Sequence, residues 1–265
     1  MNLPGKIRSL GRRYTREFFY NFSNLQNSLP GRRPMSLNIA KYGLKIYSQN
    51  DEDGVIEYLF SYLKTTNNFF VEIGVGPPWH KGKFQDVNQY GLECNCRLLV
   101  EKGWNGVMLD GNSYPEHLNV QQEFITAENI NEVLTKYQAP SDLDLFSLDV
   151  DGNDYWIWKA LEYRPRVVII EYNPNMLAHE SKTIKYDSFF SWGKNGCTKY
   201  YGASLLALKK LGDEKDYTLV YANGVNAFFV ESDLVPNKYD FKYDNIYRHR
   251  DVHAPLKGDE EWVEI

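Results

Sequence analysis

No stretch of this 265-residue chain approaches the ~18 consecutive apolar residues of a membrane-spanning helix. No basic-then-apolar secretory leader is visible either. Cysteine is scarce: Cys94, Cys96 and Cys197 are odd in number and form no disulfide framework. Cys94-x-Cys96 has no second ligand pair near it, so both read as core thiols rather than zinc ligands. These absences together point to a cytoplasmic protein. No internal repeat is present. Positive charge is also short: the net charge is −5. Nucleic-acid enzymes carry basic surface around the cleft, so nucleic acid is not expected as a partner.

What is present fits one large α/β domain, with 43% hydrophobic and 25% charged residues. Tyrosine, phenylalanine and tryptophan are abundant at 20, 14 and 6 copies, enough to furnish a core and a cleft wall for a ring-shaped substrate. Charge is unevenly spread. Residues 1–34 hold seven lysines and arginines against Glu17, a balance of +6 that leaves −11 for the rest. Ile7, Leu10, Tyr14, Phe18 and Phe19 recur at helical spacing there, with arginines between them. This basic extension reads as a helix packed on the domain or a second subunit. Peripheral contact with anionic lipid is the sharper alternative. Residues 28–34 read as a linker, and the domain proper runs over 35–265.

The organising stretch is residues 68–76, a short apolar run that stops on an acid and a Gly-x-Gly turn. It predicts a buried parallel strand. Ligands of open α/β sheets bind beyond the carboxyl ends of the strands, which places a cofactor over Glu72, Gly74 and Gly76. A dinucleotide site wants a third glycine where Trp79 stands, and a helix start where Pro77 and Pro78 stand. A carboxylate at Glu72 would repel a pyrophosphate and suit a cation. S-adenosylmethionine, with its ammonium and sulfonium, is such a ligand.

The remaining pattern is doubly wound. A helix opens after Ser48 and runs to about Leu63. Residues 77–90 form a long polar loop. Residues 91–102 predict a delayed crossover helix stopped by Gly103. Strand two ends on Asp110, placed to accept hydrogen bonds from ribose hydroxyls. A weak strand covers 118–124. Thr126 then caps a helix to about Tyr137 and is a candidate adenine contact. Strands four and five cover 142–149 and 166–171. Residues 176–201 read as a second loop over the cleft. Residues 217–221 and 226–230 are too close for a crossover and pair antiparallel. The tail beyond Glu231 shows no clear element.

The run over 147–154 places Asp149, Asp151 and Asp154 around one strand tip, and strand five adds Glu171, Asn173 and Asn175. Such density is costly unless something positive binds. Asp149, Glu171 and Asn173 are a candidate oxygen ligand set for Mg²⁺ or another divalent cation. The alternative is that Asp151 and Asp154 cap the following helix while Asp149 holds the cofactor or a backbone amide. Asp149 and Asp151 are the candidate catalytic bases, with His80 and His179 as rivals.

Taken in order, Ser48-Gln49-x-x-Glu52-Asp53-Gly54, Val71-Glu72-Ile73-Gly74, Asn95, Gly103-Trp104-x-Gly106, Asn129-Ile130, the 149–154 run, Glu171-Tyr172-Asn173 and Gly202-Ala203-Ser204 resemble the FkbM-type S-adenosylmethionine-dependent methyltransferases. The resemblance spans about residues 48–230. It implies a Rossmann-like class I fold: a mostly parallel seven-stranded sheet, an antiparallel edge hairpin and helices on both faces. It also implies methyl transfer to a hydroxyl of a sugar, glycan or natural product. By the same resemblance Glu72, Gly74, Gly76, Asn95, Asp110, Thr126 and Asp149 hold the cofactor. The sequence departs from the family in its 77–90 loop and in Cys96, where a threonine is usual. A nicotinamide oxidoreductase and a catalytically silent binding module are the competing readings.

Overall fold

The structure is a computed structural model describing residues 34–77, 79–80, 83–192, 198–251 and 261–265. The helix expected within residues 1–34, Cys197 and the side chain of His80 lie outside the described residues.

Seven strands form the central sheet: β1 Phe69–Ile73, β2 Asn105–Asp110, β3 Val120–Gln122, β4 Leu145–Leu148, β5 Val167–Glu171, β6 Tyr217–Ala222 and β7 Asn226–Glu231. Their spatial order is β3-β2-β1-β4-β5-β7-β6. The first five pair in parallel, and β7 runs antiparallel to both β5 and β6. Only residues 223–225 join β6 to β7, far too few for the crossover a parallel pair requires. The expected edge hairpin follows from that shortness. Strand order reverses between β1 and β4, which creates a crevice at their carboxyl ends.

Both faces of the sheet are covered. On one face α1 (Glu52–Leu63) packs Val55, Ile56, Leu59 and Leu63 onto Phe70, Leu145 and Ile169. On the other, α3 (Ile130–Lys136), α4 (Asp154–Ala160) and α5 (Leu205–Glu214) bury Leu134, Trp158 and Leu208 against Ile73, Leu148 and Ile170. The near-continuous apolar strands match this two-sided burial. Ser204 caps α5 as expected, its hydroxyl accepting from the Ala207 amide at 3.1 Å.

Four expectations are corrected. The crossover helix is only α2, Arg97–Glu101. Residues ahead of it bond elsewhere: the Glu93 amide donates to Gly76 O at 2.9 Å, and the Asn95 and Cys96 amides donate to Glu72. The weak third strand shrinks to three residues. Thr126 is not a helix cap: Asn129 precedes α3, and its Oδ1 accepts from the Thr126 amide at 2.8 Å. The tail is not featureless, because Trp262–Glu264 pairs antiparallel with Lys182–Ile184 inside the expected second loop. Among the described residues no helix is long and apolar enough to cross a membrane.

Candidate active site

Parallel register builds the site. Ile73 is level with both Leu109 and Leu148, and Leu148 with Ile170. One residue further on, Asp110, Gly74, Asp149 and Glu171 therefore stand in a row across four strand tips. Asn226 of β7 faces Glu171 and extends the row. Because side chains alternate along a strand, the row shares a face with Glu72 and Ser147, two residues below.

That inner pair is closed off. Glu72 is 2% exposed, and its two oxygens accept from the Asn95 amide at 2.5 Å and the Cys96 amide at 2.9 Å. Asn95 Nδ2 donates to Ser147 Oγ at 3.1 Å. Glu72 thus holds the start of α2, buried beneath the row of strand tips, whereas the sequence reading placed it directly under the cofactor. Burial pushes its pKa up to about 7, against the lowering effect of the two amides. Asn95 is likewise buried and engaged.

Gly74 has φ +82°, and a Cβ there would stand 1.5 Å from the Asp149 carbonyl oxygen. The close approach it permits is by the β4 tip. Gly76, in contrast, has open space where a side chain would be. Asp110 ties the turn down: Oδ2 accepts from the Val75 amide at 3.0 Å and Oδ1 from the Asn112 amide at 2.7 Å. Burial raises its pKa despite those bonds. Each oxygen keeps a second lone pair for a further donor.

The β4 tip divides its three acids by role. Asp154 is fully buried and caps its own loop, accepting from the Val150 and Gly152 amides, both at 2.9 Å. Asp149 takes the Asp151 amide and faces the Glu171 carboxyl. One ligand atom each from Asp149, Asp151 and Glu171 lie within 4.8 Å of one another. Burial, then the charges of Asp151 and Asp154, hold the Asp149 carboxyl well above the usual range. Burial, then Asp149, Asp151 and Asp154, do the same to Glu171. Asp151, with φ 55°, is exposed, and its pKa is raised by desolvation and then by the charge of Asp110.

Asn173 leaves the expected cation set. Nδ2 donates to Lys199 O at 2.8 Å and Tyr201 O at 2.9 Å, while Oδ1 accepts from the amide and Nδ2 of Asn175. Asp151 takes its place in the cluster. The 176–201 segment supplies a wall: a Cβ on Gly152 would meet the Phe190 ring at 2.3 Å, and Asn153 Nδ2 donates to Asp187 O at 2.7 Å. Burial, then Glu171, Asp151 and Asp149, raise the pKa of Tyr201, so its phenol lies within reach of their field. The sequence reading did not single out Tyr201; only its aromatic neighbourhood hinted at it. His179 is exposed and outside the cluster. Thr126 follows β3 at the same sheet edge, with its amide held by Asn129. Comparison with known families, curated proteins and solved structures finds no match.

Proposed function

We propose that the chain is an S-adenosylmethionine-dependent O-methyltransferase acting on a hydroxyl of a sugar, glycan or natural product. The observation that carries this reading is the acid row, with Asp110, Asp149 and Glu171 level across the tips that flank the reversal of strand order. A crevice lined by carboxylates repels phosphate and attracts a cationic ligand. The start of α2 also disfavours a pyrophosphate, because Glu72 already occupies two of its amides. That argues against a nicotinamide cofactor independently of the missing third glycine. The resemblance to FkbM-type methyltransferases and the antiparallel edge hairpin support the same assignment.

When bound, S-adenosylmethionine supplies an electrophilic methyl group on a sulfonium. Asp110 has lone pairs left to accept from ribose hydroxyls. The Phe190 and Tyr201 side of the cleft orients the acceptor, and positioning accounts for most of the rate. As the acceptor oxygen bonds to the methyl carbon, its proton passes to Asp149 or Asp151, whose raised pKa values make them better proton acceptors than ordinary surface carboxylates.

Thermal-shift titrations with S-adenosylmethionine, S-adenosylhomocysteine, NAD and NADP test the assignment. Stabilisation by the first two and not by the others is expected. Stabilisation by NAD or NADP alone would replace the reading with an oxidoreductase, and no shift with any of the four would leave a silent binding module. Turnover on glycan acceptors should then fall in Asp149→Asn and Asp151→Asn.

A further inference from the structure

The acids of this chain that have structural work to do are visibly paired. Asp144, at the opposite end of the strands, accepts from the amides of Thr66, Asn67 and Asn68 and pairs with Arg166 at 2.7 Å. Asp53 collects the amides of Ile46, Tyr47 and Ser48 and the Ser48 hydroxyl on Oδ2 alone, and its Oδ1 is bare, but among the described residues no cluster of carboxylates converges on it. Asp154 collects two amides. The cluster at the β4 and β5 tips differs. Among the described residues no lysine, arginine or histidine pairs with Asp149, Asp151 or Glu171. Glu171 Oε2 is buried and receives no N–H or hydroxyl donor; the side chain its carboxyl meets is another acid, Asp149. A buried carboxylate oxygen without a donor loses its hydration and gains nothing in return. An orphaned acceptor inside a set of three convergent carboxylates is the signature of a missing positive ligand rather than of a cap.

We infer that Asp149, Asp151 and Glu171 bind one divalent cation, with Glu171 Oε2 as its buried ligand and Asp151 as its solvent-side ligand. The three ligand atoms span no more than 4.8 Å. The oxygen shell of Mg²⁺ is about 4.2 Å across and that of Ca²⁺ about 4.6–5.2 Å, so the set needs little movement to close on either. All ligands are hard oxygens, which excludes a preference for soft metals. A divalent charge offsets two of the three negative charges. It also leaves coordination positions open toward the cleft, where an acceptor hydroxyl bound to the cation would have its pKa lowered. In that part the inference rests on the methyltransferase reading; cation binding itself does not.

The test uses the full chain, without cofactor or acceptor. Mn²⁺ is titrated and the free ion followed by electron paramagnetic resonance, with Mg²⁺ and Ca²⁺ as competitors. Expected are one saturable Mn²⁺ per chain, displacement by Mg²⁺ or Ca²⁺, and a melting temperature that rises with Mn²⁺ and falls back in EDTA. Glu171→Gln and Asp151→Asn should each weaken Mn²⁺ binding by more than about tenfold. Asp151 is exposed, so its variant tests the site even if the Glu171 variant folds poorly. Glu116→Gln, an exposed acid elsewhere, should change nothing. Absence of saturable binding below millimolar Mn²⁺, or undiminished binding in both cluster variants, overturns the inference. S-adenosylmethionine affinity measured separately in EDTA keeps the two readings apart: binding there with no Mn²⁺ site removes the cation and leaves the cofactor, and the converse removes the cofactor and leaves the cation.

Discussion

Gly74 tolerates no side chain, for two separate reasons. Its φ of +82° is costly for an L residue, and a Cβ would lie 1.5 Å from the Asp149 carbonyl oxygen. The obstacle is backbone of the neighbouring strand, so it cannot swing aside. Gly74→Ala should therefore cost roughly 2–6 kcal/mol in urea unfolding, adding backbone strain to overpacking; a loss under ~1 kcal/mol would show that the two tips are not locked together. Asp110 acts through charge instead. Asp110→Asn removes charge-assisted hydrogen bonds worth roughly 1.5–3 kcal/mol, an expected ~10- to 150-fold loss in S-adenosylmethionine affinity by calorimetry. Equal affinities would take Asp110 out of the cofactor site. Residue positions were legible where sequence position alone aligns strand tips, as for Asp110, Asp149 and Glu171. Hydrogen-bond partners were not legible where they are remote. The bonds of Asn173 go to Lys199 and Tyr201, and no local pattern distinguishes such an amide from a metal ligand. The two amides that Glu72 holds, more than twenty residues on, were hidden in the same way.

At the scale of elements, α2 depends on Glu72 for its start. Burial raises the folded-state pKa of Glu72 from 4.5 to about 7. Between those values the folded chain keeps a proton that the unfolded chain has lost, so this group's contribution is full below pH ~4.5 and is lost as pH rises through ~7. The effect is on the order of 3 kcal/mol. Glu72→Gln cannot titrate, so the drop in unfolding free energy from pH 4.5 to 7.5 should be smaller in the variant by about that amount; parallel pH profiles would assign the drop to other acids. Elements were legible in proportion to how local their causes are. The β6–β7 hairpin needs only a short connection. The 91–102 helix failed because Glu72 and Gly76 draw its first residues into tertiary bonds. The pair of Lys182–Ile184 with Trp262–Glu264 was invisible because each strand has three residues, too few for alternation to register.

The whole molecule is fastened at both ends of its described core, and the two ends predict different outcomes of truncation. Met35 is 1% exposed; its amide donates to Asn237 Oδ1 at 2.7 Å, and its carbonyl accepts from Asn237 Nδ2 at 3.1 Å. Ile39 is buried, and Tyr42 stacks on Tyr58 with centroids 4.0 Å apart. A chain beginning at Pro34 keeps every one of these contacts and should melt and bind cofactor as the full chain does. A chain beginning at Gly43 loses three buried side chains worth ~1.5–3 kcal/mol each and should not fold stably. At the other end, the Ile265 amide donates to Ser181 O at 2.7 Å and its carbonyl accepts from Ser181 Oγ at 2.8 Å. The paired strand reaches the site wall: Trp156 Nε1 donates to Ile184 O, and the Ile184 amide donates to Gly202 O. The next residue, Ala203, accepts from the Asn173 amide at 2.8 Å. Deleting residues 261–265 should therefore lower the melting temperature by several degrees, at roughly 2–4 °C per kcal/mol. It should also raise amide exchange at residues 182–184 and 202–204 while leaving β1 and β2 protected. Unchanged exchange at residues 182–184 would show that the terminal strand decorates the fold without bracing the cleft wall, and exchange rising equally throughout the sheet would show that it holds up the whole domain.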